Sequence, residues 1–363
     1  MSRAARGRLF WVNPASLSPA YDFEALCLLA REGWAPSYHG SRTAYNEDAV
    51  AAMVDRFGGQ LRSISSTVAS RPRGVLSYLA LMASVLWQAR GKDRVVLSFP
   101  SLLIIDALFL LLAGKKGTLL VHNVVPHDHP RQGWKDRLLA ACAWQLWFAS
   151  RNTAAHAQRT WGLKPSKAEA VLQHGRLPVA PGERLPEALV AEQAPLRRAG
   201  RLRLAVLGNI KPYKGVVPFL SQVLAQKPEA FEVSIQGRWA PGHKPKLEDF
   251  PEALVVRLED SFLSSESLRQ ALLASPIVVM PYLAASQSGI FYNCLWYGCI
   301  PLVTPVGEAA ERLKTAGLAR LCFSLEQPES FFEACAYVEA QHFEVIRKLR
   351  RLREDCSFTL ETL

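Results

Sequence analysis

MPYLAASQSGIFYNCLWYGCIP, residues 280–301, is the stretch on which the reading of this chain turns. The apolar run at 276–280 predicts a buried strand, a polar turn of Ser286, Gln287, Ser288 and Gly289 follows, and 290–297 carries helical spacing. A strand that passes through a short polar turn into a helix start makes a nest for an anion. The first N–H groups of a helix have no partner within it, and the helix dipole adds roughly half a positive charge there. A diphosphate suits such a nest, and Gly289 lets its backbone come close. A Ser-rich turn also describes an ordinary capped helix, so the neighbouring segments have to decide between the two.

Upstream, the same unit recurs. A strand at 203–208 runs into GNIKPYKG, residues 208–215, and a helix starts near 216. Gly208 and Gly215 bracket a tight loop in which Lys211 and Lys214 can meet an anion, although the GxxxxGK[ST] pattern is absent. Strands predicted at 231–236, 254–258 and 300–304 and a helix at 265–274 continue the alternation. Helical periodicity over 328–353 closes the chain in a long basic element.

The N-terminal half alternates in the same way. Strands are predicted at 8–13, 61–65, 95–99, 118–122 and 168–173, and helices at 21–31, 75–89, 102–113 and 138–149. Such alternation implies a parallel sheet covered on both faces, with ligand groups where strands end. One strand end opens into HNVVPHD, 122–128, which brings His122, Asn123, His127 and Asp128 off an apolar strand together. Histidine titrates near neutrality and a close carboxylate can orient it, so the loop suits acid–base or phosphate-binding work. Metal-ligand spacing is absent there. His174, Gly175 and Arg176 form a second polar exit. Between the two series, Pro178, Pro181, Pro186 and Pro195 with Arg197, Arg198 and Gly200 read as a linker.

At 363 residues the chain suggests two domains, and an apolar fraction of 49% with 21% charged residues is globular. The formal charge of +11 favours anionic partners: nucleotides, nucleic acid or an acidic membrane face. Seven cysteines without a CxxC pair argue against a disulfide framework or a zinc site and for a reducing compartment. The charged residues at 1–8 and the break at Asn13–Pro14 lead us to expect no secretory signal, and the apolar stretches fall short of the ~20 residues that span a bilayer. Nucleic-acid binding has no reading helix or aromatic platform in its favour.

Taken in order, NPASLSPAY, VVLSFP, LLVHNVVPHD, VLQHG, GNIKPYKG and PYLAASQSGIFYNCLWYGCIPLVT, across roughly residues 11–305, resemble the GT-B glycosyltransferases, most of all the glycosyltransferase family 4 group and its bacterial polysaccharide-assembly relatives. The resemblance implies an α/β fold of two Rossmann-like domains facing across a cleft: an acceptor-binding domain at 1–178, a linker at 179–200 and a nucleotide-sugar-binding domain at 201–342, with a C-terminal helix in 343–363 packing back on the first domain. It implies that Lys214, with Lys211, Asn209 and Tyr282, meets the donor diphosphate. Ser286, Gln287, Ser288, Gly289 and Ile290 would offer it side-chain and backbone donors, and Asn293 a hydrogen bond to the ribose. His122 would sit near the transferred sugar or its phosphate, and Asn123, His174, Gly175 and Arg176 would line the cleft.

Two departures matter. The family's pair of glutamates, with seven residues between them, falls here on Ala285 and Asn293, and its arginine ahead of the lysine on Asn209, with Lys211 as compensation. These changes count against the family's usual retaining mechanism. The HNxxPH run with its following acid is closest to xanthan-type β-mannosyltransferases among the exopolysaccharide enzymes. That resemblance implies transfer of a hexose, mannose favoured, from a GDP-sugar rather than a UDP-sugar to a lipid-linked or polysaccharide acceptor, with inversion. Asp128 or His127 would then take the acceptor proton. Neither a DxD pair nor a metal motif is present, so the chemistry is expected to need no metal and no cofactor beyond the co-substrate. Apolar helices at 75–89 and 138–149 with basic flanks, together with the lipid-linked acceptors of the enzymes it resembles, lead us to expect a cytoplasmic protein peripheral on the inner face of the cell membrane. The competing expectation, favoured by Ala285 and Asn209, is a catalytically weak relative that binds a glycan or nucleotide-sugar.

Overall fold

A computed structural model describes residues 6–42, 46–62, 72–124, 133–163, 165–285 and 287–363. The chain divides into two compact α/β units, one of Met1–Gly175, Ala180–Gly182 and Phe358–Leu363, the other of Arg176–Val179 and Glu183–Ser357.

In the first unit the elements run β1 (Gly7–Asn13), α1 (Pro19–Arg31), β2 (Trp34–Ser41), α2 (Glu47–Phe57), β3 (Gly59–Arg62), α3 (Pro72–Gln88), β4 (Arg94–Leu97), α4 (Leu103–Ala113), β5 (Gly117–Val121), α5 (Gly133–Cys142), β6 (Gln145–Phe148), α6 (Arg151–Trp161) and β7 (Ala168–Gln173). Their sheet has the order β3-β2-β1-β4-β5-β6-β7, every pair parallel. Strands of such a sheet are covered on both faces and carry unbroken apolar runs. In β1, accordingly, Leu9, Phe10, Trp11 and Val12 are all buried. The order reverses direction between β1 and β4, and the crevice at their carboxyl ends is where sheets of this kind bind ligands.

The second unit holds α7 (Val190–Gln193), β8 (Arg197–Arg198), β9 (Arg201–Leu207), a short helix α8 (Val216–Pro218) that continues as a π turn, β10 (Phe231–Gln236), β11 (Val255–Glu259), α9 (Ser265–Leu273), β12 (Ile277–Met280), α10 (Gly289–Tyr297), β13 (Ile300–Val303), α11 (Gly307–Thr315), α12 (Pro328–Ala340) and α13 (His342–Asp355). The sheet order is β11-β10-β9-β12-β13, parallel throughout, with β8 antiparallel on β9. Its reversal lies between β9 and β12, so the loops 208–215 and 281–288 leave the sheet side by side. β14 (Thr359–Thr362) belongs to the first unit and pairs antiparallel with β7.

Several predicted elements come out differently. Residues 138–149 are no single helix: α5 stops at Cys142 and β6 begins at Gln145, in register with β5. Helix and buried strand are both apolar here, so periodicity cannot separate them. The basic helix at 328–353 is broken at Gln341, whose backbone is non-helical. The region read as linker holds α7 and β8, and apart from 180–182 belongs to the second unit, as does α13. Among the described residues, no helix is long and apolar enough to cross a membrane.

Candidate functional site

In the second unit, the two loops at the reversal point are fastened to each other. Leu283 N–H donates to the carbonyl of Tyr213 at 2.7 Å. Gly215 makes this approach possible: its φ is 61°, and a Cβ there would stand 2.1 Å from the Pro281 carbonyl oxygen. Lys214, in a tight turn after Pro212, is thereby buried with its Nζ 5.4 Å from the centre of the Tyr282 ring. The Ile290 side chain and Lys214 Nζ lie 3.4 and 3.6 Å from the point where a Gly208 Cβ would be. The lysine and the start of α10 therefore flank one spot.

That helix start is built as the sequence suggested. Ser288 is the N-cap, its Oγ accepting from Phe291 N–H at 3.4 Å, and Tyr282 OH lies 3.3 Å from the same oxygen. Burial pushes the Tyr282 phenol up to about 12, so it stays neutral beside the lysine. Thr304 Oγ1 donates to the Tyr282 carbonyl at 2.5 Å and fixes the loop from below. A Cβ on Gly289 would meet nothing within 4 Å, so the space on that side of the residue is open. A buried lysine beside the first turn of a helix, whose leading N–H groups have no partner within the helix, can hold an anionic group.

Lys211, Asn209 and Gln287 stand on these same loops, Asn209 exposed and Gln287 lining a small cavity of ≈10 Å³ with Ser288 and Ala285. Ser286 lies outside the described residues. Asn293 is buried on α10, and its amide nitrogen donates to the carbonyls of Leu177 at 2.8 Å and Pro178 at 3.3 Å, so its N–H groups hold the backbone.

Sequence reasoning missed two groups in this unit. Glu308, on α11, lines the cavity beside Ala285 and pairs with Arg312 at 2.8 Å; it is buried, and its helix was not foreseen. Arg238 follows β10, and its carbonyl accepts from Ile210 N–H, which puts another cationic residue at the strand end occupied by Asn209. The strand-to-Gly-Arg pattern in 231–238 was the available signal.

In the first unit, His122 leaves β5 sandwiched between rings: it stacks on Phe99 at 4.0 Å and meets Tyr21 edge-on at 5.2 Å. Ser98 Oγ stands 3.3 Å from its Nε2. Burial lowers the imidazole to about 3, so it is neutral at neutral pH and available as a hydrogen-bonding group rather than a charge. A cleft of about 220 Å³ opens beside it, lined also by Leu17, Asn123, Asp136 and Trp161. Asp136, another group that sequence reasoning passed over, is held up to about 6 by burial. His127 and Asp128 lie outside the described residues.

Beneath this cleft lies a polar cluster at the β1–β4 reversal. Asn13 Nδ2 donates to Asp22 Oδ2 at 2.6 Å and to the Leu17 carbonyl at 2.7 Å. Asp22 is fully buried, and burial outweighs the Asn13 bond to push its carboxyl up to about 8. His174 packs in the same unit against Tyr21 and Phe358, ring centres 4.5 and 5.3 Å away, with Gly175 after it. Arg176 falls in the second unit, where its Nη1 donates to the carbonyls of Arg353 and Glu354 and caps α13.

No protein-family model and no curated protein matches the sequence. Solved structures match over nearly its whole length. The Anabaena HepE protein, in complex with UDP and glucose, is 12% identical with a TM-score of 0.64, covering 96% of this chain and 95% of its own. Sucrose-phosphate synthase from Thermosynechococcus elongatus is 12% identical with a TM-score of 0.62, covering 96% and 94%. A glycosyltransferase from Rickettsia africae is 14% identical with a TM-score of 0.61, covering 96% and 93%. What these chains share with the present one is architecture, and the two reversed parallel sheets agree with it: the fold is GT-B, made of two Rossmann-like domains.

Proposed function

We propose that the protein is a hexosyltransferase that takes its sugar from a nucleoside-diphosphate donor. The observation that carries this reading is the convergence of Lys214 with the Ser288-capped start of α10 at the reversal point of the second sheet. A leaving diphosphate gathers negative charge as the anomeric bond breaks. A buried ammonium and fixed N–H groups stabilise that charge most in the transition state, with no solvent to reorganise, and so do the work that a cation does elsewhere. The solved GT-B structures named above support the same reading.

In the proposed reaction an acceptor hydroxyl attacks the anomeric carbon, the bond from that carbon to the diphosphate oxygen breaks, and the hydroxyl proton passes to a base. On the sequence resemblance, His122 would sit near the transferred sugar or its phosphate. Asp128 or His127 takes the proton on the sequence resemblance, and Asp136 is a further carboxylate beside His122. Inversion, mannose as the sugar and a lipid-linked or polysaccharide acceptor are the finer parts of the proposal. A thermal-shift panel of UDP, GDP, ADP and their sugars tests the reading. A shift with one base class, abolished in Lys214→Ala, is expected, with GDP-mannose first on the resemblance; no shift with any of them refutes it.

Two observations favour a second reading, a binding protein without turnover. Ala285 has no polar group to offer, and the Asn293 amide is engaged by backbone. Release of free nucleoside diphosphate from a bound donor upon addition of acceptor separates transfer from binding alone.

A further inference from the structure

The first unit carries a helix that is apolar on its outer face as well as on the inner one, where Phe109 and Leu110 are buried. An ordinary surface helix faces its charges outward and its leucines inward. In α4, LIIDALFLLLA, the one charged residue is buried: Asp106 accepts from Tyr78 OH at 2.6 Å and from the N–H groups of Ser101 and Leu102 at 2.8 Å each. Ile104, Leu108, Leu111 and Leu112 point outward instead, with 75%, 53%, 57% and 73% of their surface exposed. The spacing 104, 108, 111 is one helical stripe.

Flanking helices continue this face. On α3, which packs on α4 through the Tyr78–Asp106 bond, Leu76, Leu79 and Trp87 are exposed; on α5, also packed on α4, Trp134 and Leu138 are. At the ends of α3 and α4 a cleft of about 350 Å³ opens between Trp87 and Leu112, with Lys116 beside it. Isolated exposed leucines need no explanation, but an aligned set across three helices does.

Charge identifies what covers the face. Exposed tryptophans at its edge carry basic neighbours: Arg90 lies 5.9 Å from the Trp87 ring, Lys115 5.7 Å from Trp144 and Lys135 6.0 Å from Trp134. Among the described residues of this region, the carboxylates are paired, buried or in a cleft. Asp93 is paired with Arg8, Asp106 is buried, and Asp136 faces the cleft of His122. A second copy of the chain seated on this face by two-fold symmetry would bring a basic rim against itself. An anionic bilayer complements it, with leucines in the acyl boundary and Trp and Lys/Arg at the headgroups.

We propose that the α3–α4–α5 face of the first unit docks on an anionic phospholipid bilayer. The proposal extends the transferase reading by giving a lipid-linked acceptor a surface on which to be met, while its evidence is independent of the donor loops. The expectation of a membrane-facing helix at 138–149 shifts accordingly to α4, since 145–148 is a strand of the sheet.

The test is flotation of the full chain with vesicles of mixed phosphatidylglycerol and phosphatidylcholine, compared with phosphatidylcholine alone. Binding is expected on the anionic vesicles and expected to weaken as salt is raised. Leu108→Glu and Leu112→Glu, both at solvent-exposed positions, should each lower vesicle affinity about tenfold or more. Phe343→Glu, at a position 83% exposed on α13 of the other unit, should leave it unchanged. Absence of flotation at low salt overturns the proposal, as do α4 variants that float like wild type or a wild-type dimer that these variants dissociate. Thermal shift by nucleotide-sugars is read without vesicles on the same proteins. Flotation without any nucleotide shift therefore keeps the docking face and rejects the transferase; the reverse result keeps the transferase and rejects the face.

Discussion

Asp22→Asn is the substitution for which the structure gives a sign and a size together. The Asp22 carboxyl, fully buried beneath the His122 cleft, sits at about 8 because burial disfavours its charged form more than the Asn13 hydrogen bond favours it. An ordinary aspartate ionises at 3.8. Between those values the folded chain keeps a proton that the unfolded chain has released, so unfolding gives up a proton and stability falls as pH rises. The contribution is fully present below about pH 4, declines by about 1.4 kcal/mol per pH unit, and has gone by about pH 8. At pH 7, some three units above the ordinary value, the group has forfeited about 4 kcal/mol. Asparagine has the same shape, can accept from Asn13 and cannot ionise. The stability difference between wild type and Asp22→Asn, from urea unfolding at pH 5 and pH 7, should therefore change by about 3 kcal/mol in favour of the variant at the higher pH. His39 and His122, which burial lowers to about 4 and about 3, titrate with the opposite sign, but they are common to both proteins and cancel in the difference. Parallel profiles for the two proteins would show that Asp22 titrates alike in both states and that the buried cluster is not neutral.

Three further outcomes follow from the donor loops. Lys214→Ala should weaken nucleoside-diphosphate binding by about 10- to 100-fold in a calorimetric titration, the loss of one charge-assisted contact. Gly289→Ala meets nothing in the protein, so its melting temperature should hold or rise slightly, yet donor affinity should drop if a diphosphate uses the space above that residue; unchanged affinity would place the ligand elsewhere. Gly215→Ala should lose about 2 kcal/mol or more in stability, because its left-handed backbone and its contact with the Pro281 carbonyl both exclude a Cβ, and donor binding should fall with it.

The fold was legible wherever a segment was apolar and bounded by turn residues. Strand 231–236 and helix 265–274 come out within a residue of expectation, and the series of strands entering polar turns was enough to imply two doubly wound sheets. Elements defined by their neighbours were not legible. β2, WAPSYHGS, contains proline, glycine and little alternation; it is a strand because β1 lies alongside it from Gly7 to Asn13. β14 is four polar-leaning residues whose place depends on β7. The run at 138–149 hides a helix end, a turn and a strand behind one composition, since only the hydrogen bond from Trp144 N–H to the Gly117 carbonyl marks the change.

The candidate site divides along the same line. Lys214, Ser288 and Gly289 could be read because their chemistry is local: a loop lysine between glycines, a serine one residue before a helix. Asp22, Glu308 and Asp136 could not, because a carboxylate on an amphipathic helix looks like a solvent-facing charge until tertiary packing turns it inward. Nor could the backbone hydrogen bonds of Asn293 and Arg176, which go to residues 177–178 and to the end of α13. Both have one cause. Sequence spacing says which face of an element a side chain occupies, and only the neighbouring element says whether that face meets ligand, protein or water. The same holds for α4: LIIDALFLLLA would pass for a core helix on composition alone, and only its packing, with Asp106 and Leu110 buried and Ile104, Leu108, Leu111 and Leu112 exposed, shows which face is outside.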